Sequence, residues 1–297
     1  MEVHHKAHET VLGFIGQGWI GKNYADCFEA VGFTVVRYSK EEPHIANKEK
    51  IADCDIVFIA VPTPSTKDGG FDDSIVREAV KLVGKGKTAV IKSTIIPGTA
   101  RSIQKENPDV IVLFSPEFLR EATVRHDIEH PDKNIIGLAS ADERSRIAAE
   151  QVMQIFPKAP YERICEAEEA ELTKYGANVF LFWKVVFINM LYDITSHHGA
   201  DWNVLVENLT ADPRIGTSHM QPVHQIKHLG EKSGRGAGGH CFIKDFAAFE
   251  EHYKKTVGDE AGQAVLEALR NHNIKLLTDS GKDLEILSSI YGNDIVS

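Results

Sequence analysis

Short apolar runs alternate with segments of helical spacing through the first half of the chain. Residues 10–16 form a short apolar run, and residues 55–64 are apolar almost without interruption, as in a strand buried on both faces. Between the runs, residues 19–32 and 72–86 show helical spacing and end at glycines. Strands alternating with helices predict an α/β fold with a doubly wound parallel sheet, and we assign this Rossmann-type domain to residues 10–156.

The strand signal fades in the second half of the chain, which has helical patterns instead. Residues 166–199 contain no proline and no glycine except Gly176 before the final Gly199, so they predict one long helix. Its centre is apolar on nearly all sides, and we therefore expect protein to cover it on both sides. Shorter helical patterns follow, and we assign residues 157–297 to an α-helical domain.

A glycine-rich turn joins the first predicted strand to the first predicted helix. Gly16, Gly18 and Gly21 fit the pattern G-x-G-x-x-G. Glycines allow a tight turn and a close approach to a pyrophosphate, and the helix N-terminus attracts its charge. Glycines that serve only the turn are the alternative. We predict a dinucleotide site with contacts from Gly16, Gln17, Gly18, Trp19, Ile20 and Gly21.

The end of the second predicted strand departs from the usual NAD pattern. An Asp or Glu normally ends this strand and binds the ribose 2′-hydroxyl. Here Ser39 stands where the acid is expected, with Arg37 and Lys40 beside it. A missing carboxylate near cations is compatible with the 2′-phosphate of NADP, although Arg37 and Lys40 are equally interpreted as surface charges. This strand leaves both NAD and NADP open.

Polar loops follow three further predicted strands, at the sheet edge where such folds bind ligands. Thr94, Glu117 and Glu121 lie in these loops, and we expect them to face the same crevice. A solvated loop residue is the plainer interpretation of any one of them, but three at strand ends favour a site. We predict further cofactor contacts from Val61, Pro62, Thr63, Thr94, Glu121, Ser39 and Lys40.

The composition argues against several classes of function. The 297 residues carry a formal net charge of −10, which is unfavourable for nucleic acid. Four cysteines without a C-x-x-C pair predict neither a disulfide framework nor a zinc site, and a reducing cytoplasm is the default. The N-terminus is polar, unlike a signal peptide, and the apolar run Val179–Leu191 is short for a membrane span. His224 and His228 are better interpreted as a solvated face than as metal ligands.

The stretch GGHCFIKDF, residues 238–246, places a cysteine directly after two glycines and a histidine. Asp245 follows Cys241 by four residues, which is about one helical turn. The commonest role of a free cysteine is that of a small buried side chain, whereas these neighbours favour a reactive thiol. We expect Gly236, Gly238 and Gly239 to let the loop approach a substrate closely.

Seven stretches, taken in order, resemble the UDP-glucose/GDP-mannose dehydrogenases, which are nucleotide-sugar 6-dehydrogenases. The resemblance covers about residues 10 to 260. It implies an NAD-dependent oxidation of a nucleotide-sugar alcohol to a carboxylate, in the cytoplasm. The matching stretches are GFIGQGWIG, VPTPSTKDGGFDDS, KSTIIPGT, SPEFLREATVRHDIEHPDKNIIG, AEEAELTKYGANVFLFWKVVFIN, ADPRIG and GAGGHCFIKD.

The resemblance implies catalytic roles at the matching positions. Cys241 resembles the nucleophile, which forms a thiohemiacetal and then a thioester between two hydride transfers. Lys174 and Asn178 resemble the pair that stabilises the oxyanion, and they lie four apart on one helix face. Asp245 resembles the partner that orients or deprotonates water.

Further roles follow from the same resemblance. Glu117 and Thr94 resemble the residues that handle the hydrolytic water, and Glu121 resembles a carboxylate at the cofactor edge of the site. Arg214 resembles an arginine that reaches the substrate. That arginine can belong to the same subunit or reach across a dimer interface. The resemblance implies substrate contacts from Phe118, Leu119, Arg214, Gly238, Gly239 and His240.

The long helix also predicts a partner subunit. We expect a homodimer through residues 166–199, with no nucleic acid and no membrane as partners. The motivation is an apolar girdle around the centre of that helix. The girdle consists of Phe180, Phe182, Trp183, Val186 and Phe187.

Two departures from the family pattern leave the function open. GGHC resembles branches that oxidise N-acetylhexosamine nucleotides, whereas CFxKD resembles the UDP-glucose branch. Only about 37 residues follow residue 260, so we expect the family's third, nucleotide-binding α/β domain to be missing. The shortened architecture is that of the 3-hydroxyacid dehydrogenases. A two-electron oxidation and non-catalytic dinucleotide binding therefore remain alternatives.

Overall fold

The computed structural model of the chain describes residues 10–66, 70–224, 233–292 and 295. The chain divides into two compact units. Met1–Pro64 and Phe71–Lys174 make up the first, which we call the sheet unit. Ser65–Gly70 and Tyr175–Ser297 make up the second, the helical unit.

Seven strands form the sheet of the first unit: β1 (Val11–Ile15), β2 (Thr34–Tyr38), β3 (Ile56–Ile59), β4 (Thr88–Ile91), β5 (Ile111–Phe114), β6 (Lys133–Leu138) and β7 (Tyr161–Glu166). Their spatial order is β2-β1-β3-β4-β5-β6-β7. Neighbours are parallel except β5 and β6, which are antiparallel. The prediction of a parallel, doubly wound sheet is thus confirmed, except that β6 runs antiparallel to β5. The order reverses between β1 and β3, where such sheets bind ligands.

Strand β7 is present in the structure but was not predicted from the sequence. The segment YERICE alternates exposed and half-buried residues, and β7 pairs only with β6 at the edge of the sheet. It therefore lacks the continuous apolar run that marks the central strands. Because β7 lies beyond residue 156, the sheet unit extends past the predicted boundary, as far as Lys174.

Helices cover both faces of the sheet, and each face has its own apolar core. The cores alternate along the strands, with Ile59 on one face and Phe58 on the other. A 3₁₀ segment, Ile45–Asp53, lies between β2 and β3. The helices are α1 (Trp19–Ala30), α2 (Ser74–Val80), α3 (Thr99–Glu106), α4 (Val124–Glu129) and α5 (Glu143–Ile155), and a second 3₁₀ turn spans Glu121–Thr123.

One long helix, α6 (Ala167–His197), begins in the sheet unit and continues into the helical unit, as predicted for residues 166–199. By length and composition it is also the one described helix that could cross a membrane. Two members of the expected apolar girdle, Phe182 and Val186, are fully buried, and the Phe182 ring stacks on Phe246 at 4.0 Å. Its apolar composition therefore serves core packing on one side.

The helical unit completes its core with helices that follow α6. The most consequential bound is that of α8, which begins at Gly239, within the stretch that the sequence analysis treated as a loop. Cys241 and His240 therefore lie in the first turn of a helix and not in a loop. The elements are α7 (Trp202–Thr210), the two-residue strands β8 (Val223–His224) and β9 (Gly234–Arg235), α8 (Gly239–Thr256), α9 (Glu260–Ser280) and α10 (Leu284–Tyr291).

Candidate active site

The glycine-rich turn between β1 and α1 has the geometry of a dinucleotide cradle. Gly16 has a φ of 91°, and a Cβ there would lie 2.2 Å from the Ala60 carbonyl oxygen. A Cβ on Gly21 would lie 2.0 Å from the Gly16 oxygen. At Gly18, the N-cap of α1, a Cβ would meet nothing within 4 Å. Two glycines are thus required by close packing, while the third leaves space for a ligand at a helix N-terminus.

The remaining residues of the turn also fit a ligand. The side-chain amide of Gln17 donates to the Gly16 oxygen at 3.1 Å. Its Oε1 is buried and has no hydrogen-bond partner among the described residues. Trp19 is exposed and Ile20 is half-buried. A buried acceptor in a phosphate-type turn is consistent with a polar ligand there.

The end of β2 is organised differently from what the charge pattern indicated. The Arg37 guanidinium is held by Glu29, at 2.7 Å, and by Asp26, at 2.7 Å. The Ser39 hydroxyl donates to a backbone carbonyl two residues on. Lys40 is exposed. Of the two cations beside Ser39, Arg37 is therefore neutralised within the sheet unit.

The loops after β3 and β4 are joined by hydroxyl hydrogen bonds. Val61 donates its N–H to the Ser93 hydroxyl at 2.9 Å. The buried Thr63 hydroxyl donates to the Thr94 carbonyl at 2.9 Å. Pro62 is exposed and Thr94 is half-buried. The predicted cofactor residues Val61, Thr63 and Thr94 thus lie together at the carboxyl edge of the sheet.

Glu117, three residues after β5, forms the centre of a buried charged cluster. Its Oε1 accepts the N–H groups of Phe118, at 2.8 Å, and Leu119, at 3.0 Å. Its Oε2 lies 3.4 Å from Lys92 Nζ. Lys174 Nζ donates to the Glu117 carbonyl at 2.6 Å. The structure therefore brings Glu117, Lys174, Phe118 and Leu119 together within the sheet unit.

Burial controls the electrostatics of this cluster. The side chains of Lys92 and Glu117 are 2% and 9% exposed. Burial lowers the pKa of Lys92, while the Glu117 charge opposes that shift. Burial also raises the pKa of Tyr24, and the Glu117 carboxylate adds to it. The carboxylate thus has one close cation and an environment that resists a second negative charge.

A pocket of about 80 Å³ adjoins the cluster. The Phe118 ring lies between two ammonium groups, 3.8 Å from Lys133 Nζ and 5.6 Å from Lys174 Nζ. Burial lowers the pKa of Lys133. The pocket is lined by Tyr24, Lys92, Ser115, Pro116, Glu117, Phe118, Leu119, Arg120, Asp127, His130, Pro131, Asp132, Lys133, Asn134, Ile135 and Phe156.

The helical unit holds the cysteine and its predicted partners. Cys241 is exposed in the first turn of α8. Asp245, one turn later, is buried, and its carboxylate accepts the Asn178 side-chain amide at 2.5 Å. Burial lowers the pKa of Lys244, and the neighbouring Asp245 carboxylate opposes that shift. Asn178 and Asp245 are thus paired directly, a contact that the sequence did not indicate.

The glycines before Cys241 have a role different from the one expected. A Cβ on Gly238 would lie 2.0 Å from Asp283 Oδ2, and one on Gly236 would lie 3.1 Å from Leu277 side-chain atoms. Only Gly239 has nothing within 4 Å of such a Cβ. Gly236 therefore admits α9 itself, Gly238 admits the turn that follows α9, and Gly239 is the one that leaves open space.

The other predicted residues are less closely integrated. Arg214 is 88% exposed at its side chain and pairs with Asp212 at 2.5 Å. His240 is exposed on α8. The side chain of Glu121 lies outside what the structure describes, as does His228. Within the described part of the chain, no group of three or more His, Cys, Asp or Glu residues forms a metal cluster.

Sequence reasoning overlooked several residues of these clusters. Lys92 directly follows the buried strand β4, and a lysine in that place is a signal of a paired or functional charge. Lys282 and Asp283 gave no signal, because they follow a glycine in an ordinary helix ending. Their contacts with the glycine loop depend entirely on tertiary structure.

Two family models match the chain. Residues 44–157 match the NAD binding domain of the UDP-glucose/GDP-mannose dehydrogenase family, and residues 168–275 match its central domain. The glycine-rich turn precedes the first match. The matched ranges fall in the sheet unit and, from α6 onward, mainly in the helical unit.

Relatives and solved structures agree with these matches. A UDP-glucose 6-dehydrogenase of Rhizobium meliloti is 31% identical over 281 residues, covering 80% of this chain and 62% of that protein. UDP-glucose 6-dehydrogenase TuaD of Bacillus subtilis is 28% identical, covering 96% and 67%. The chain thus spans about half to two thirds of the length of the curated relatives it matches.

Structural likeness extends over nearly the whole chain. A UDP-glucose dehydrogenase from Pyrobaculum islandicum superposes with a TM-score of 0.75 at 28% identity, covering 95% of this chain and 71% of that one. A 3-hydroxyisobutyrate dehydrogenase from Mycobacterium tuberculosis shares the fold, with a TM-score of 0.69 at 16% identity and 98% of its chain covered. Because the NAD binding and central domain models of the UDP-glucose/GDP-mannose dehydrogenase family match the chain in order, the chain belongs to that family.

Proposed function

We propose that this chain binds NAD and oxidises the primary alcohol of a nucleotide sugar to the carboxylate, in two hydride transfers through Cys241. One observation carries the proposal. Cys241 is exposed on a helix turn that also holds Asp245, buried and hydrogen-bonded to Asn178. A thiol kept only for packing is buried and needs no such neighbours.

The proposed chemistry balances as follows, with NAD accepting a hydride in each of two steps. The alcohol loses a hydride and a proton and becomes an aldehyde. The Cys241 thiolate adds to the aldehyde carbon, and the adduct then loses the second hydride, which leaves a thioester. Water adds, the C–S bond breaks, and the thiolate leaves as the acid forms.

The proposed roles of the other residues follow from their surroundings. The Lys174 side chain donates a hydrogen bond to a backbone carbonyl, and Asn178 has a side-chain amide, and both are hydrogen-bond donors of the kind that oxyanion stabilisation requires. Asp245 serves as acid/base or water-orienting partner of the thiol. Glu117, with an oxygen held by two N–H groups, orients water together with Thr94.

NAD is the cofactor that we propose over NADP. The Arg37 guanidinium is already paired with Glu29 and Asp26, which leaves Lys40 as the cation near Ser39. A 2′-phosphate is normally bound by an available guanidinium. Calorimetric dissociation constants for the two dinucleotides test this, and tighter binding of NADP would contradict it.

Nucleotide-sugar turnover with NAD is the experiment that tests the main proposal. A panel of UDP-hexoses and UDP-N-acetylhexosamines should include one substrate that yields two NADH per sugar and an acid product. One NADH per sugar, unchanged in Cys241→Ser, would establish the two-electron alternative. NAD binding without turnover of any substrate would establish non-catalytic binding.

A homodimer through α6 is also part of the proposal. Its support is an exposed apolar stripe at spacings of three and four residues. Phe187→Asp introduces a charge into the stripe and should convert the dimer to a monomer in sedimentation. Val257→Asp introduces the same charge at an exposed site elsewhere and should leave the dimer intact. A wild-type monomer, or flotation with vesicles, would contradict it. The stripe consists of Phe180, Trp183, Phe187, Met190 and Ile194.

A further inference from the structure

The glycine loop that leads into α8 is fastened to α9 within the helical unit. The Ala237 N–H donates to Asn273 Oδ1 at 2.7 Å, and Asn273 Nδ2 donates back to the Ala237 oxygen at 2.9 Å. About two turns further along α9, at its last residue, the Ser280 hydroxyl accepts the Arg235 N–H at 2.9 Å. The buried amide of Asn273 thus fixes both backbone groups of one loop residue.

The turn between α9 and α10 extends this fastening to the first turn of α8. Lys282 is 2% exposed, and its Nζ donates to the Gly236 carbonyl at 3.2 Å. Asp283 Oδ2 accepts the Gly239 N–H at 2.7 Å. The N-cap of α8, Gly238, has no side chain of its own to cap the helix. Asp283 therefore supplies, from another element, the cap that the sequence of α8 lacks.

Two features set this cap apart from an ordinary surface contact. Asp283 has a φ of 55°, a left-handed conformation that is unfavourable for a non-glycine residue. Ser280, Lys282 and Asp283 also lie beyond residue 275, where the match to the family's central domain ends. The cap therefore lies in a segment outside the matched range.

We propose that Asp283 is a positioning residue for Cys241, which it serves by holding the first turn of α8 through Gly239 and by moderating the reactivity of the thiol. The inference rests on the proposed role of Cys241. A helix N-terminus favours an anion, and the Asp283 carboxylate already occupies that place. A thiolate two residues along the helix is therefore opposed by a charge that an uncharged cap would not bring.

Other charged groups face the same turn. Lys244 and Asp245 lie on α8 itself, and Lys282 lies beside Asp283. Lys244 favours a thiolate, whereas Asp245 and Asp283 oppose it. Substituting Asp283 alone changes one charge and leaves the other three in place.

The test is alkylation of Cys241 by iodoacetamide from pH 5 to 9, followed by peptide mass spectrometry, on wild type, Asp283→Asn and Asp283→Ala. Asp283→Asn keeps an acceptor for Gly239 and loses the charge. It should raise the alkylation rate at pH 7 by about two- to fivefold and move the profile to lower pH. A purely structural cap would leave the Asp283→Asn profile unchanged.

Amide hydrogen exchange measures the positioning part of the proposal. Asp283→Ala should speed exchange of residues 238–242 by about tenfold or more, the equivalent of losing a charge-assisted hydrogen bond, while Asp283→Asn should retain most of the protection. If Asp283→Ala does not fold, Lys282→Met removes the neighbouring bond to Gly236 and should loosen the same segment. Wild-type exchange in both folded variants would overturn the proposal.

Two controls are built into the chain. Asp279→Asn removes a carboxylate near the end of α9, where it pairs with Lys275 on the surface, and should leave Cys241 unaffected. Alkylation of Cys27, half-buried in the sheet unit, serves as an internal reference in every sample. An Asp279→Asn effect as large as that of Asp283→Asn would overturn the proposal. None of these readouts needs a substrate, so a failure of the nucleotide-sugar hypothesis is recognised separately, by turnover.

Discussion

The charged cluster of the sheet unit and the cysteine turn of the helical unit place reactive groups in opposite environments. Lys92 and Glu117 are almost completely buried, and each is the other's close counter-ion. Cys241 is exposed, and the groups that fix its helix turn come from outside α8. In the charged cluster, the two buried charges stabilise each other by pairing. In the cysteine turn, the thiol stays accessible because the groups that fix the backbone come from another element.

This contrast indicates that substitutions at the charged cluster of the sheet unit affect both activity and stability, whereas substitution of Cys241 in the helical unit affects activity alone. Removing one partner of a buried ion pair leaves an uncompensated charge, which is strongly destabilising. Replacing an exposed side chain on a helix turn changes stability little. Losses of function in the sheet unit should therefore be accompanied by unfolding, and those at Cys241 should not.

Cys241→Ser gives the largest expected effect and tests the separable side of the comparison. Acid formation should fall by about 10³-fold or more, because a hydroxyl is a far weaker nucleophile, while the free energy of unfolding changes by less than about 0.5 kcal/mol. Cys54→Ser is the matched control, since Cys54 is fully buried and burial raises its pKa to about 11. It should destabilise by about 1–3 kcal/mol. Equal stability losses in the two variants would break the comparison.

Lys92→Met tests the coupled side. It should lower the free energy of unfolding by about 3 kcal/mol, because the Glu117 carboxylate then stays buried without its counter-ion. Adding Glu117→Gln removes that charge and should restore much of the loss, which urea titration of the single and double variants will measure. A double variant no more stable than Lys92→Met would show that the ion pair is not the source of the effect.

The pH dependence of stability sharpens the comparison with a smaller effect. Glu171 on α6 accepts the N–H groups of Gly98, at 2.6 Å, and Ala100, at 3.0 Å, at the start of α3. Burial raises the pKa of Glu171 to about 7, against the lowering effect of these two donors. The folded state therefore binds this proton more tightly than the unfolded chain, and its contribution to stability, complete below about pH 4.5, is lost as the pH rises through 7.

Comparison with Glu171→Gln isolates that contribution. The unfolding free energy of wild type minus that of the variant should fall by about 1–3 kcal/mol between pH 4.5 and 7.5. A difference that stays constant would mean that the two backbone donors outweigh burial and keep the carboxylate ionised throughout.

Sequence reasoning reached the parts of the molecule that local patterns encode. The turn at Gly16–Gly21, the helix at 167–197 and the position of Glu117 after a strand all follow from periodicity and spacing. The edge strand β7 escaped because it has two exposed and four half-buried residues and so lacks a continuous apolar run. The start of α8 escaped because paired glycines normally disfavour a helix, and here the missing cap is supplied by Asp283. Such long-range contacts leave no signature in the neighbouring residues.

The hydrogen bond from Lys174 to Glu117 ends on a main-chain carbonyl. Every amino acid brings that oxygen, so no ordinary substitution at residue 117 can delete the partner of the amine, and alanine scanning there reports only on the carboxylate. Exchanging the 117–118 peptide link for an ester, which weakens the carbonyl as an acceptor and removes the Phe118 N–H, addresses both attachments at once. The Lys174 ammonium group is thus anchored to the main chain, which amino-acid substitution leaves unaltered.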